Sequence, residues 1–253
     1  MNYHYLAQYI ASTQHKIVIA VVGCGGTGSH VITNLAAMNK AFIGLGRQPI
    51  HVIAYDGDVI EEHNVGRQMF SPADIGENKA TVLIERINRF FGFEWSAMQT
   101  RFEQGMDRKF VANINVLISC VDTAKSRRGI AKYIKGNVDD GNEQRRLYYW
   151  LDTGNSMHTG QIILGTVGKI KQPGKSKLNI LPCWTDEYKG IRDRKSEPSC
   201  SLAESLGRQD LFINKIIATY ATDMLWQLMK NYRIHYRGLY INLESMQTKP
   251  ILL

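Results

Sequence analysis

Residues 23–29 read Gly-Cys-Gly-Gly-Thr-Gly-Ser and contain the spacing G-x-G-x-x-G. Glycine removes the Cβ that would keep a backbone away from a ligand, and such a turn opening a helix aims N–H groups and the helix dipole at phosphate. Gly23, Gly25, Gly26 and Gly28 are therefore candidate phosphate-binding positions. Alone they indicate only a nucleotide. A polar set further along narrows the chemistry: Asp56 and Asp58, then Asn64, Arg67 and Gln68, then Lys79, and finally Asp122. Arginine and lysine neutralise phosphoryl oxygens and carboxylates hold Mg²⁺, so the set suits a triphosphate, whereas hydride transfer has no use for it. Asp56 is placed to accept hydrogen bonds from ribose hydroxyls, although it lies 28 residues beyond Gly28 rather than the usual ~20.

Such residues need a scaffold that gathers them at one end. Ile17 to Val22 is an apolar, largely β-branched run that stops at Gly23, the pattern of a strand buried on both faces of a parallel sheet. Val31, Leu35, Met38 and Phe42 then recur at helical spacing. The loop from Gly44 to Pro49 breaks that helix and accounts for the longer spacing to Asp56, and Ile50 to Tyr55 predicts a second strand. Ala80, Leu83, Ile84, Ile87 and Phe91 mark another amphipathic helix, while Glu94 to Phe102 and Asn115 to Cys120 predict a third and a fourth strand. This alternation predicts an α/β fold, Rossmann-like and doubly wound around a largely parallel sheet. Asp56 and Asp122 then stand at strand C-termini, where such sheets bind ligands.

The second half differs. Leu147 to Asp152, Gln161 to Val167 and Leu239 to Leu243 are strand-like without regular helices between them, which predicts an irregular extension of antiparallel strands. Asp210 to Lys230 carries Leu211, Asn214, Ile217, Ala218, Ala221, Leu225 and Leu228 on one broad face, one long helix. The stretch 169–201 holds three of the six prolines, and a loop of that length is usually functional or mobile.

A chain of 253 residues, 44% hydrophobic, can bury one large core or two modest ones. Its longest apolar runs are strand-sized and its first ten residues are neither basic nor apolar, so no signal peptide or membrane span is expected. Cysteines 24, 120, 183 and 200 form no C-x-x-C pair, which argues against zinc and against a disulfide framework and fits a reducing cytoplasm. The net charge of +8 draws on Arg127 and Arg128, Arg145 and Arg146, and the stretches 169–177 and 192–195. These read first as solvated loops and second as a surface for an acidic partner. No RNA-binding module, helix-turn-helix or zinc-finger signature occurs, so nucleic acid is not an expected partner.

In order, Gly-x-Gly-Gly-x-Gly-Ser, D-x-D-x-V from Asp56, N-x-x-R-Q from Asn64, G-x-x-K ending at Lys79 and C-x-D ending at Asp122 resemble the ThiF, MoeB and ubiquitin-activating superfamily over residues 17–130. The segments 152–155 with 160–161, 197–204 and 208–214 resemble its narrower ThiF-like branch of plasmid-type PRTRC cassettes and extend the likeness over nearly the whole chain. The resemblance implies a single ThiF-type adenylation domain over 1–253, with a nucleotide-binding half at 17–130 and a partner-binding half at 147–253 that contains a crossover loop at 169–201. It implies that Asp56 binds ribose, with Asp58 in the same cofactor set. Asn64, Arg67, Gln68 and Lys79 would surround the phosphates, Arg67 and Lys79 serving catalysis, and Asp122 would support the metal. ATP and Mg²⁺ follow as cofactors, and a homodimer as the assembly.

The implied reaction is attack by the C-terminal carboxylate of a small ubiquitin-like (β-grasp) or sulfur-carrier protein on the α-phosphorus of ATP, giving an acyl adenylate and pyrophosphate. Positioning and charge neutralisation carry such a step without a general base. Cys200 is the expected thiol acceptor: it stands in a polar loop, and Cys-Ser-Leu-Ala resembles the Cys-Thr-x-Ala segment around the catalytic cysteine of eukaryotic relatives. Arg192, Arg194 and Lys195 would lower its pKa where the fold brings them near. Cys24 among glycines and Cys120 at a strand end read as packing positions, and Cys183 lacks partners for a zinc site. Two departures stand out. The family's zinc cysteines are absent, and no arginine precedes Arg47, leaving Lys16, His15, Arg47 or a partner to replace the family's N-terminal arginine. Competing readings are adenylation of a small-molecule or tRNA-borne carboxylate, a non-catalytic nucleotide-binding accessory protein of a plasmid cassette, and, last, a dehydrogenase.

Overall fold

The computed structural model describes residues 1–12, 14–66, 68–102, 113–136, 146–174, 176–187, 190 and 210–253. Strand β2 (Val18–Val22) runs into the glycine turn and then helix α2 (Gly26–Gly44). Strand β3 (His51–Tyr55), helix α3 (Lys79–Phe91), strand β4 (Ser96–Met98), strand β5 (Val116–Ser119) and helix α4 (Ala124–Gly136) continue the alternation. Strands β6 (Tyr149–Asn155) and β7 (Thr159–Thr166) follow as a hairpin. After the short α5 (Trp184–Glu187) come the long α6 (Ile213–Asn231), β8 (Arg233–Ile234), β9 (Tyr236–Asn242) and β10 (Gln247–Leu252). At the start, β1 (His4–Tyr5) pairs with β8, and α1 (Gln8–Ala11) leads toward β2.

The main sheet has the order β10-β9-β7-β6-β5-β2-β3-β4. Pairings from β4 through β6 are parallel and those from β6 through β10 antiparallel, so the expected parallel body with an antiparallel extension is what the chain forms. Because side chains alternate along a strand, β2 sends Ile19 and Val21 to one face and Ala20 and Val22 to the other. The first face is covered by α2, α3 and α6, through residues such as Leu35, Leu83 and Leu225. The second is covered by α4 and neighbours, through Ile130, Tyr133 and Trp184. Both faces of the central strands are therefore dry, which is why they read as continuous apolar runs.

Some boundaries differ from expectation for physical reasons. The third strand is only Ser96–Met98, because it is an edge strand paired to β3 alone and Thr100 N donates to Met98 O in a turn that ends it. Helix α4 was not marked by the sequence pattern, since Gly129 and a row of cations dilute its apolar face of Ile130, Tyr133 and Ile134. Strand β10 likewise carries no apolar pattern that marks it. It is an exposed edge with few apolar residues, carrying Lys249 and Pro250 as edge strands commonly do.

Helices α2 and α6 pack side by side, and Arg47 ties them. Its guanidinium donates to the carbonyls of Met229 and Lys230 and to the Tyr232 hydroxyl, at 2.8, 3.3 and 2.6 Å, and lies over the rings of Phe42 and Tyr232. The last carbonyls of a helix lack partners within it, and a cation there satisfies them and complements the dipole. Arg47→Ala is expected to lower unfolding stability by about 1–2 kcal/mol, measured as a shift in the urea midpoint at unchanged m-value.

Candidate active site

The glycine turn makes the floor of a cavity of about 1030 Å³ at the C-terminal ends of the parallel strands. Gly23 has φ +89°, and a Cβ on it would lie 2.7 Å from the Cys120 carbonyl oxygen. A Cβ on Gly28 would lie 1.8 Å from the Gly23 carbonyl oxygen, and one on Gly26 would lie 2.7 Å from Asn214 Nδ2. These three positions are therefore glycine because protein backbone and side chains occupy the space. Gly25 is the one whose missing Cβ opens toward the cavity, its nearest neighbour being the Gln68 amide at 3.8 Å. The first turn of α2 thus presents its N-terminal end to the cavity, the arrangement that favours an anion.

Asp56 joins this turn to β3. Its Oδ2 accepts from Cys24 N at 2.6 Å and its Oδ1 from Asp58 N at 2.9 Å. Burial pushes its carboxyl above the usual range, while those two N–H groups and Lys79 pull it back. Asn78 holds the next stretch. Its Nδ2 donates to the carbonyls of Asp56 and Asp58, and its Oδ1 accepts from Thr81 N as the N-cap of α3. Lys79 is thereby fixed on the cavity wall, 12% exposed, with Nζ 4.0 Å from Asp58 Oδ2. Arg101, also unmarked by any motif, reaches the other Asp58 oxygen at 3.0 Å.

The opposite wall is α4 with the strand ends beneath it. Asp122 is exposed at the cavity just after β5, followed by Lys125, Arg128 and Lys132. Below them Arg127 is 6% exposed, its Nε 3.0 Å from both oxygens of Asp152 and its Nη2 donating to Thr153 O at 2.6 Å. Ser119 Oγ donates to Asp152, Trp150 Nε1 donates to Ser119 Oγ, and the Arg127 guanidinium lies over Trp184. Burial pushes the Asp152 carboxyl up to about 6 against the pull of Arg127 and Ser119. Asn214, at the start of α6, closes the floor by accepting from Thr27 Oγ1 and Asn155 Nδ2.

The structure thus gathers Gly25, Asp56, Asp58, Gln68, Lys79 and Asp122 around one cavity. The Gln68 Oε1 is buried and has no hydrogen-bond partner among the described residues, an acceptor that a ligand hydroxyl or amino group would satisfy. Asn64 is placed otherwise: its buried side chain caps a 3₁₀ turn (Glu62–Asn64) by accepting from Glu61 N, and it does not line the cavity. Arg67 and Cys200, with Arg192, Arg194 and Lys195, lie outside the described residues. Burial raises all three described thiols, Cys24 well above its usual value, Cys120 to about 12 and Cys183 more modestly. Of the residues considered as replacements for an early arginine, Arg47 is held at the end of α6 and His15 stacks on Tyr9, while Lys16 precedes β2 at its end away from the cavity. None of the three lines the cavity of its own chain.

A family model described as ThiF family matches residues 10–251. The NEDD8-activating enzyme E1 catalytic subunit of Dictyostelium discoideum is 31% identical over 119 residues, 46% of this chain and 25% of that protein. Ubiquitin-like modifier-activating enzyme 6 of Mus musculus is 27% identical over 192 residues, 73% of this chain and 16% of that protein. The chain therefore spans a quarter or less of the length of these curated relatives. Among solved structures, E. coli MccB superposes with a TM-score of 0.64 at 17% identity, covering 96% of this chain and 64% of that one. PaaA gives 0.61 at 14%, covering 96% and 66%. At these identities the likeness concerns the fold.

Removing one partner of a buried ion pair leaves the other charge uncompensated, a loss of about 3–5 kcal/mol. Asp152→Asn is expected to destabilise the protein by that order, read from the denaturant midpoint; a change within error would mean that Arg127 does not depend on it. Gly28→Ala should be comparably damaging, because the methyl group must displace the Gly23 carbonyl.

Proposed function

The chain belongs to the ThiF family, and from that premise we propose that it is an adenylyltransferase that uses MgATP to activate the C-terminal carboxylate of a small ubiquitin-like or sulfur-carrier protein. The observation that carries this reading is the cavity itself: a helix N-terminus and glycine turn as floor, one half-buried acidic residue at the neighbouring strand end, and cations on both walls. E. coli MccB, whose fold the chain shares, has been crystallised with ATP.

On this reading Asp56 receives the ribose, and Gln68, beside Gly25, stands among the residues around the phosphates. The amides of the turn, together with Lys79 and the cations of α4, neutralise the phosphates as negative charge shifts toward the departing pyrophosphate. Among the described residues no three His, Cys, Asp or Glu side chains cluster as a metal cage. Mg²⁺ would accordingly be held by Asp122 and by the nucleotide's own oxygens, in the manner usual for this ion. Bound there, it would neutralise phosphate charge. The incoming carboxylate needs alignment with the α-phosphorus rather than a base, and the β6–β7 hairpin with Asn155 and Gln161 is at hand to align it.

The partner on this reading is a β-grasp protein, the assembly a homodimer and the setting a plasmid-type PRTRC cassette in the cytoplasm. No helix among the described residues is long and apolar enough to cross a membrane. The raised thiols of Cys24, Cys120 and Cys183 leave Cys200 as the proposed acceptor for any thioester step.

ATP–pyrophosphate exchange tests the proposal. Exchange should appear only with Mg²⁺ and a β-grasp partner ending in glycine, fall about a hundredfold or more in Lys79→Ala, and persist in Cys200→Ala. Intact-mass analysis should show a reducible adduct in wild type that Cys200→Ala lacks. Absence of exchange with every small protein from the same cassette would remove the assignment.

A further inference from the structure

The connection after β4 carries a cation that no motif marks. Asp56 N donates to Met98 O at 3.2 Å and Tyr55 pairs with Met98, so the sheet sets how far beyond β4 the chain must travel to reach Arg101. The stem of Arg101 lies directly over Gly57: a Cβ there would stand 3.1 Å from Arg101 Cγ and 3.4 Å from its backbone nitrogen. Arg101 lines the cavity, and its side chain is 72% exposed. Asp58, itself half exposed, meets Arg101 with one oxygen at 3.0 Å and Lys79 with the other at 4.0 Å. One carboxylate thus spans two cations on the same wall.

We propose that Arg101 is a phosphate-binding residue of the nucleotide site, parked on Asp58 in the free protein and transferred to the outer phosphates of ATP on binding. The proposal rests on the nucleotide reading given above and assigns a role within the same cavity. An exposed ion pair holds its partners weakly in water. A guanidinium, by contrast, meets phosphate oxygens with two parallel hydrogen bonds of the charge-assisted kind. The exchange costs Asp58 little, because Lys79 remains beside it. Asp58 is then a positioning residue that holds two cations at the wall and competes with phosphate for them, in place of the direct cofactor contact expected from its motif.

Binding of AMP and of ATP, measured by calorimetry without the partner protein, separates these roles. Arg101→Ala should weaken ATP about tenfold and leave AMP within about twofold, with Arg101→Lys between. Asp58→Asn should tighten ATP, since a competitor and a like charge are removed. Equal losses for AMP and ATP in Arg101→Ala, or none for either, would overturn the role of Arg101. Weaker ATP binding in Asp58→Asn would overturn that of Asp58. Melting curves without nucleotide check that the Arg101 variants are folded before their affinities are compared. Wild type that binds ATP with the expected Arg101 effect but exchanges no pyrophosphate would remove adenylation and keep this proposal. Normal exchange with an indifferent Arg101→Ala would do the reverse, and no binding of ATP by wild type would remove both.

Discussion

The Gly23 carbonyl oxygen occupies the place where a side chain on residue 28 would begin, and this approach governs how closely α2 meets the end of β2. From that contact the rest of the site follows. The Cys24 N–H is turned toward β3, where Asp56 accepts it. Gly26 is brought against Asn214, so α6 packs along α2 and bonds to Thr27 and Asn155 at its start. A turn that began as a way of ending a strand thus joins three elements far apart in the chain.

Charge is distributed around this frame in two manners. Arg127 and Asp152 are buried together beneath α4, where their mutual attraction offsets desolvation and fixes the helix over the strand ends. Asp58, Lys79 and Arg101 stand in or near solvent, where their attraction is weak and their partners can change. The first pair serves architecture, and the second set, on the proposed reading, serves the nucleotide.

What could be read from the sequence was local. Strand, glycine turn and helix lie within some thirty consecutive positions, and their apolar spacing announces them. Asp56, Gln68, Lys79 and Asp122 came from ordered short motifs and from their position at strand ends. Asn78, Arg101, Arg127 and Asn214 did not, because each acts through a partner distant in sequence. Thr27 and Asn214 are 187 positions apart, and Arg101 and Asp58 are 43 apart. Asn64 shows the opposite limit: its place in a motif suggested phosphate, yet its Oδ1 closes a turn and the residue does not line the cavity. Edge strands β4 and β10 were shortened or missed because an edge needs few apolar residues and so leaves little pattern.

Cys24 sits at the centre of the turn, and its surroundings make the turn insensitive to oxidants. The residue is fully buried, its sulfur lies 4.0 Å from the Tyr55 carbonyl oxygen, and burial with Asp56 nearby keeps it protonated. Peroxides and disulfides react with thiolates that they can reach, and this sulfur is neither ionised nor accessible. The geometry of the turn is therefore insensitive to oxidants through this residue, and any redox sensitivity of the proposed nucleotide site has to enter through a different sulfur.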